Sequence, residues 1–484
     1  MQAPSLLSHG SEQKIPRSVF TDLQLQGLLS EDAIAVLSSP CPVAKISQRQ
    51  ELLGHLQSKD FLTLVTDCLT KLKLCRRAYT LSQAKTTALE LVFRRADLLE
   101  AYLHACEALS TLADGGTLFK GVSEYFSEEA RVEERSKIAN DLSRVRQRLE
   151  GCSRFLLSFS DKNWITPDTA PNTEYDEIVS YADALGVKLP AQKALRILPD
   201  KPMSDAIMTL FDREMSEIRE LLAVYDGLNT QLPCSYIGEI EFYIEIHALT
   251  ERADAAGIPC CFPKISSQKQ YLATRLYDVS LLAKGCDAVV PNDACFTGKD
   301  PFYFLTGANG GGKTTYLRAV GINLLLFLAG CPVFAEQAEI YPFAAVLTHC
   351  PKDERFDRTG RLDEELARAE EMLEVSDAFL LFNETFSGTD QTRGLDLVLQ
   401  TAEKMKTNHT FGLFVTHFHE VNDTSYPVLT VKVDTLDENR RTYQIAPKSP
   451  TRSSYANDIL KKYRLDRASL AERRRQGDTQ PSIS

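Results

Sequence analysis

The stretch Phe302–Arg318, FYFLTGANGGGKTTYLR, decides how this chain is read. It opens on the apolar run Phe302 to Leu305, long enough for a buried strand. A glycine-rich loop follows, and the segment ends on Lys313, Thr314 and a helical pattern with apolar positions from Leu317 to Phe327. This is GxxxxGKT between a strand and a helix. Gly307, Gly310, Gly311 and Gly312 let the backbone curl so that its N–H groups, with those of Ala308, Asn309 and Thr315, face phosphate oxygens. Lys313 reaches the β and γ phosphates, and Thr314 supplies a hydroxyl to Mg²⁺. The helix that follows turns its positive N-terminal end toward the same anion.

Such a loop needs a neighbouring strand that ends in carboxylates, one for the Mg²⁺ shell and one to align water. Ala378 to Glu384, AFLLFNE, has that form. Asn383 stands where Asp is expected: an amide still accepts a hydrogen bond from metal-bound water but adds no charge. Glu384 is then the one carboxylate placed to polarise an attacking water. After the next apolar strand comes Thr416-His417-Phe418-His419-Glu420, where His417 is placed to sense a γ-phosphate. The catalytic candidates are Lys313, Glu384 and His417, with Thr314 and Asn383 toward the metal.

Composition sets wider bounds. The chain has 484 residues, 43% hydrophobic and 25% charged, which predicts a globular protein of two to four domains. A net charge of -11 gives no global basic surface, so contact with nucleic acid requires a local patch. Twelve cysteines lie scattered through helical patterns without metal-ligand spacing, as reduced core thiols do. The N-terminus lacks a signal-peptide pattern, and the best apolar run, Ala319 to Ala329, is too short to span a bilayer. An intracellular compartment, cytoplasm or nucleus or nucleoid, follows as the expectation.

Along the chain, residues 1–17 are predicted to be a flexible leader. From Val19 to about Phe155 the pattern is helical, with Leu89, Val92, Phe93, Leu99, Tyr102, Leu103, Cys106 and Leu109 on one face of a long helix over Ser82–Leu112. Arg144, Arg146 and Arg148 on a charged helix, and Lys71 to Arg77, are either solvated faces or phosphate contacts. Prolines punctuate Ser158 to Pro202; helical order returns over Ser204–Leu228 and Ser235–Ala255. From about Cys261 short apolar runs alternate with helices, predicting an α/β sheet with Arg441 to Ile445 as an antiparallel edge partner of Val428 to Val433. Tyr455 to Arg475 reads as a last helix, and 476–484 as a disordered tail.

Together PNDACF (Pro291–Phe296), TGANGGGKTTYLR (Thr306–Arg318), FAEQAEI (Phe334–Ile340), NETFSGTD (Asn383–Asp390) and THFHE (Thr416–Glu420) resemble the MutS family of ATPases, related to ABC-type ATPases. Ala308 replaces the family's Pro and Thr314 its Ser. FTDLQLQ near Phe20 and ISQRQELLGHL near Ile46 are similar to the start of the family's helical lever domain. The resemblance implies an α + α/β chain: an all-helical lever bundle over 18–240 with a reduced clamp-like tip near 158–202, then a P-loop α/β ATPase domain over 241–475 with a C-terminal helical dimerisation segment. It implies a chain that starts at the lever, without the family's mismatch-reading and connector domains. It further implies ATP and Mg²⁺ as ligands, adenine contacts near Asn292, and a homodimer in which Thr359 and Gly360 touch the partner subunit's γ-phosphate. The function expected is an ATP-gated clamp on DNA, branched or structured rather than mismatched. The alternative is a nucleotide-gated protein-interaction switch with slow or no hydrolysis because of Asn383.

Overall fold

The computed structural model describes residues 3–7, 14–152, 155–157, 165–167, 201–285, 289–350, 358–433 and 441–448. The expected clamp-like tip, the last helix and the tail fall largely or wholly outside the described residues. The chain divides into two compact units, a helical one formed by Met1–Ser8 and Ser47–His247, and an α/β one formed by His9–Ile46 and Ala248–Ser484.

In chain order the helices are α1 (Arg17–Asp22), α2 (Glu31–Leu37), α3 (Val43–His55), α4 (Lys59–Gln83), α5 (Ala88–Ser110), α6 (Gly116–Ser127), α7 (Glu129–Gly151), α8 (Lys201–Leu210), α9 (Asp212–Ala223), α10 (Tyr236–Ala255), α11 (Lys313–Leu328), α12 (Arg358–Glu374) and α13 (Gln391–Thr407). The unit boundaries fall inside α3 and α10.

In the helical unit α5 is the axis, packed along α4 and against α6, α7 and α8. It starts where a capping box predicts: the Thr87 hydroxyl accepts from Glu90 N at 3.3 Å. Leu89, Val92, Ala96, Leu99, Tyr102, Cys106 and Leu109 are buried along one stripe, at three- and four-residue steps. The helix expected over Ser204–Leu228 is broken at Phe211, where φ −113° and ψ 37° leave the helical region. That break still turns Ile207, Phe211, Met215, Ile218 and Leu222 inward.

The leader expected to be flexible is in part docked. Leu6 and Leu7 are buried. Tyr236 Oη donates to Pro4 O at 2.6 Å, Tyr243 Oη donates to Leu6 O at 2.8 Å, and Leu6 N donates to Glu239 at 2.6 Å. Two apolar side chains with satisfied backbone groups are enough to fix so short a segment.

The α/β unit holds two sheets. β1 (Phe155–Leu157) and β2 (Ile165–Pro167) form a hairpin in the helical unit; the remaining strands are β3 (Lys264–Ile265), β4 (Tyr271–Leu276), β5 (Asn292–Phe296), β6 (Phe302–Thr306), β7 (Gln337–Ile340), β8 (Ala345–His349), β9 (Ala378–Asn383), β10 (Phe411–Val415), β11 (Val428–Val433) and β12 (Arg441–Pro447). The central sheet runs β12-β11-β6-β10-β9-β8, parallel except for β12, which pairs antiparallel with β11 at the edge. A smaller mixed sheet runs β3-β7-β4-β5. Long apolar strands such as Ala378–Phe382 are buried throughout, as a parallel sheet covered on both faces requires.

From Tyr316 to Leu328 α11 is buried on every side, as its predominantly apolar composition demands. A Cβ on Gly321 would lie 2.7 Å from Leu381 of β9 and 2.8 Å from Leu23, so at Gly321 the helix is wedged between the central sheet and the N-terminal segment. Residues 18–46 therefore belong to the α/β unit rather than to the helical domain to which the sequence reading gave them. The physical reason is apolar: Val19, Phe20, Leu23, Leu25, Ile34 and Leu37 are all buried. In the middle of α11 the buried Asn323 is fully satisfied: Nδ2 donates to Tyr277 O at 2.9 Å and Ala319 O at 2.8 Å, and Oδ1 accepts from Phe334 N at 2.6 Å. Among the described residues no helix is long and apolar enough to cross a membrane.

Candidate functional site

The site grows from the carboxyl ends of β6, β10 and β9, the side of a parallel sheet where ligands bind in open α/β folds. Backbone bonds hold these tips level: Thr416 N donates to Leu305 O at 3.0 Å and Glu384 N to Val415 O at 2.8 Å. From β6 the chain turns through Gly307–Gly312 into α11. Gly312, with φ +94°, caps the helix in a conformation that a Cβ would strain.

Lys313 is the first residue of α11 and only 4% exposed. Its Nζ folds back into the loop, donating to Gly307 O at 2.8 Å, Asn309 Oδ1 at 3.2 Å and Ala308 O at 3.4 Å. Burial holds its pKa below the ordinary lysine value; Glu384 pulls upward and Arg441 downward. A buried cation at a helix N-terminus, bonded to neutral acceptors of its own loop, is equipped to exchange them for an anion.

Beside it, Thr314 Oγ1 donates to Asn383 Oδ1 at 3.4 Å. These two neutral oxygens converge where a small hard cation with its water shell would be held, and hydroxyl plus amide carbonyl is an oxygen donor set that suits Mg²⁺. Thr315 is half-buried next to them and faces Arg318, whose NH2 lies 3.4 Å from its hydroxyl. Arg318 is in turn held by Asp278: Nε to Oδ2 is 2.9 Å, with both side chains buried. Asp278 Oδ1 also accepts from Ser280 N and Oγ.

The turn after β9 is strained. Glu384 and Phe386 adopt φ +51° and +63°, a region costing non-glycine residues of order 1–3 kcal/mol each. Packing enforces it: Phe386 is fully buried and its N–H donates to Glu365 Oε2 at 3.1 Å. Thr385 meets His349 Nδ1 at 3.1 Å, while His349 Nε2 faces Glu365 O at 3.1 Å. Burial and the nearby Arg368 hold the His349 pKa below its ordinary value. His349 thus ties β8 and α12 to the Glu384 turn, a role invisible in the sequence.

His417 is exposed one residue beyond Thr416, its ring packed on Phe418 at 4.1 Å between centroids. Lys313 is a Coulombic neighbour of His419, whose pKa is lowered by burial and by Lys313 and His417, against Glu420. Asn292 is fixed by the edge strand: Nδ2 donates to Tyr443 O at 3.0 Å and Oδ1 accepts from Ile445 N at 2.6 Å. This holds Tyr443, at φ +56° and exposed, beside Gly312. The β11–β12 pair also covers the loop through Val431, against which Cβ atoms on Gly307 and Gly311 would press at 3.0 Å.

Gly307 to Thr315, Asn383 and Glu384 are therefore brought together, with His417 on the adjoining tip and Asn292 acting at one remove through β12. Thr359 and Gly360 lie in the first turn of α12, which begins at Arg358; their side chains are outside the described residues. Tyr443, His349 and His419 are additions; for Tyr443 the only sequence signal was its place on an edge strand.

Five of the candidate phosphate contacts of the helical unit, Lys71, Lys73, Arg144, Arg146 and Arg148, are paired with carboxylates. Arg146 pairs with Asp97 at 2.7 Å and Glu100 at 2.5 Å, Arg148 with Glu217, and Arg144 with Asp141 at 3.2 Å. Lys71 and Lys73 pair with Asp67 and Glu241.

Comparison with known proteins agrees with this geometry. Residues 303–471 match the family model for MutS domain V. The chain is 28% identical over 195 residues to the DNA mismatch repair protein MSH2 of Saccharomyces cerevisiae, 39% of this chain and 20% of that protein. It is 30% identical over 171 residues to the DNA mismatch repair protein MutS of Listeria monocytogenes, 32% of this chain and 19% of that protein. It is 25% identical over 256 residues to the Endonuclease MutS2 of Streptococcus suis, 50% of this chain and 31% of that protein. The chain thus covers less than a third of the length of each of these relatives. Over residues 303–471, then, the chain carries a stretch similar to MutS domain V, and it is similar in part to relatives named MutS, MSH2 and MutS2.

Proposed function

We propose that the α/β unit binds ATP with Mg²⁺ on the Gly307–Lys313 loop and hydrolyses it, and that the chain works as a homodimeric, ATP-gated clamp on DNA. The observation that carries the nucleotide reading is the buried Lys313 ammonium, folded into its own loop beside Thr314, Asn383 and Glu384. When bound, Mg²⁺ neutralises charge on the β and γ phosphate oxygens. The chain's residues do the rest. The loop N–H groups and Lys313 hold the phosphates, and Thr314 and Asn383 hold the metal's shell. Glu384, fixed at its left-handed turn, accepts the proton of an attacking water. His417 reads the γ-phosphate, and Thr359 and Gly360 approach the partner subunit's nucleotide. Asn292 places Tyr443 as an exposed aromatic face for the adenine ring.

The relatives are named for mismatch repair and for endonuclease activity, which supports DNA as the clamped polymer. Arg144, Arg146 and Arg148 are spent on carboxylates, and this favours a second reading, a nucleotide-gated switch that binds a protein partner. An intracellular location fits the free thiols of the described cysteines.

The test is steady-state ATP hydrolysis with and without branched, duplex and single-stranded DNA over a salt series, beside Lys313→Ala and Glu384→Gln. We expect stimulation by branched DNA that falls steeply with salt, loss of nucleotide binding in Lys313→Ala, and binding without turnover in Glu384→Gln. Nucleotide-dependent dimerisation with no DNA response establishes the switch instead. No binding of ATP by the unaltered protein rejects both.

A further inference from the structure

The Glu384 carboxylate is aimed by its backbone. It is half-buried, and no hydrogen bond among the described residues holds its oxygens. Its direction therefore follows from the turn that carries it, where Glu384 and Phe386 both keep a positive φ. Non-glycine residues stay in that region only where their surroundings over-determine it. Glu384 N donates to Val415 O at 2.8 Å, so the sheet itself fixes the tip of β9. The second left-handed residue, Phe386, is held from outside the sheet.

Phe386 is gripped at both ends. Its N–H donates to Glu365 Oε2 of α12 at 3.1 Å. Its carbonyl oxygen faces α13 so closely that a Cβ on Gly394 would lie 2.9 Å away, and its ring is fully buried. Glu365 in turn has a firm mount. His349 Nε2 faces Glu365 O at 3.1 Å; a carbonyl only accepts, so Nε2 carries the ring proton, and in the neutral ring Nδ1 accepts from Thr385 Oγ1 at 3.1 Å. Farther along α12, Arg368 donates to Thr348 O at 2.9 Å and reaches Asp22 of α1 at 3.6 Å, while Thr348 Oγ1 donates to Asp22 Oδ2 at 2.6 Å. These bonds fasten α12 to β8 and α1 where it presents Glu365.

We propose that Glu365 is a positioning residue for hydrolysis: by accepting the Phe386 N–H it keeps the turn left-handed, and so keeps the Glu384 carboxylate directed at the attacking water. The proposal rests on the reading that Glu384 is the base for ATP hydrolysis at the Gly307–Lys313 loop. The phosphate-holding groups lie between β6 and α11, whereas Glu365 acts on the turn after β9. Its loss therefore falls on turnover and spares nucleotide binding. Glutamine at 365 keeps an oxygen for the same N–H. Alanine leaves that N–H without its acceptor and the strained turn free to relax.

The experiment measures steady-state ATP hydrolysis and equilibrium binding of a fluorescent ATP analogue by the full chain, with variants at 365 alone and combined with Glu384→Gln. Glu365→Ala is expected to lower kcat roughly 10- to 100-fold, as a misplacement of about 1 Å does, with the analogue Kd within about twofold of the unaltered chain. Glu365→Gln is expected to retain most of kcat. In the Glu384→Gln background, Glu365→Ala is expected to lower the residual rate by less than about twofold, because the group it positions is already gone. A residue that only supports the fold would weaken binding along with turnover and cost as much in either background. If Glu365→Ala does not fold, Glu365→Asp, one methylene too short for the contact, takes its place with the same expectations. An unchanged kcat in Glu365→Ala, an equal loss in both backgrounds, or a loss in Glu365→Gln as large as with alanine overturns this proposal alone. Absence of ATP hydrolysis by the unaltered protein, or full turnover in Glu384→Gln, overturns it together with the hydrolysis reading.

Discussion

At the scale of single residues, what could be read from the chain was whatever its chemistry keeps contiguous. Gly307 to Thr315 lie in one run, and Asn383, Glu384 and His417 each follow an apolar strand, so strand ends located them. His349 and Asp22 were beyond reach, because the hydroxyls they bond belong to Thr385 and Thr348, 36 and 326 positions away. Nothing in THC or FTD marks such partners. His349 also sets an expected pH response. Its folded pKa lies below 6.5, so on acidification the unfolded chain takes up the proton first. Stability from this group is full above about 6.5 and declines as pH falls toward the lowered folded value. His349→Gln is expected to flatten that acid limb in thermal denaturation followed from about pH 7 to 5. His419 has the same sign and remains in the variant, so the limb should shrink rather than vanish.

At the scale of elements, five strands of the central sheet stood out because each is a short apolar or alternating run bounded by turn residues. β8 did not: AVLTH is five residues, and periodicity cannot separate so short a run from a helix. The smaller sheet was missed for a related reason. β3 has two residues, and β4 shifts register between Ala273 and Leu276, which breaks its alternation. Helix α11 was legible as a buried helix, but not the ion pair that fastens its first turns. Asp278→Ala would leave Arg318 as a buried charge with no carboxylate, a loss of about 3–5 kcal/mol. Chemical denaturation should show a lower midpoint with an unchanged slope. Replacing both residues by apolar ones of similar volume should recover most of that loss.

At the scale of the whole molecule, the two-part organisation was legible in the change from helical to strand-rich patterning near Cys261, whereas the ownership of residues 18–46 was not. Apolar residues at Phe20, Leu23 and Leu25 say that a surface is buried, never by what. Their docking gives a direct test. A chain lacking residues 1–46 is expected to lose amide-exchange protection in α11 and at Leu381, where Leu23 now fills the space beside Gly321. Retention of full protection would show the segment to be dispensable for that core. The same docking shapes how the molecule is made. Asp22 leaves the ribosome 326 residues before Thr348, its partner. At ~5–20 residues per second the nascent chain carries Phe20, Leu23 and Leu25 unpartnered for roughly 15 to 65 s. During that interval the earliest-made segment of the α/β unit is a client for chaperones and a target for proteases, and the helical unit has time to form while that segment waits for the rest of its own unit.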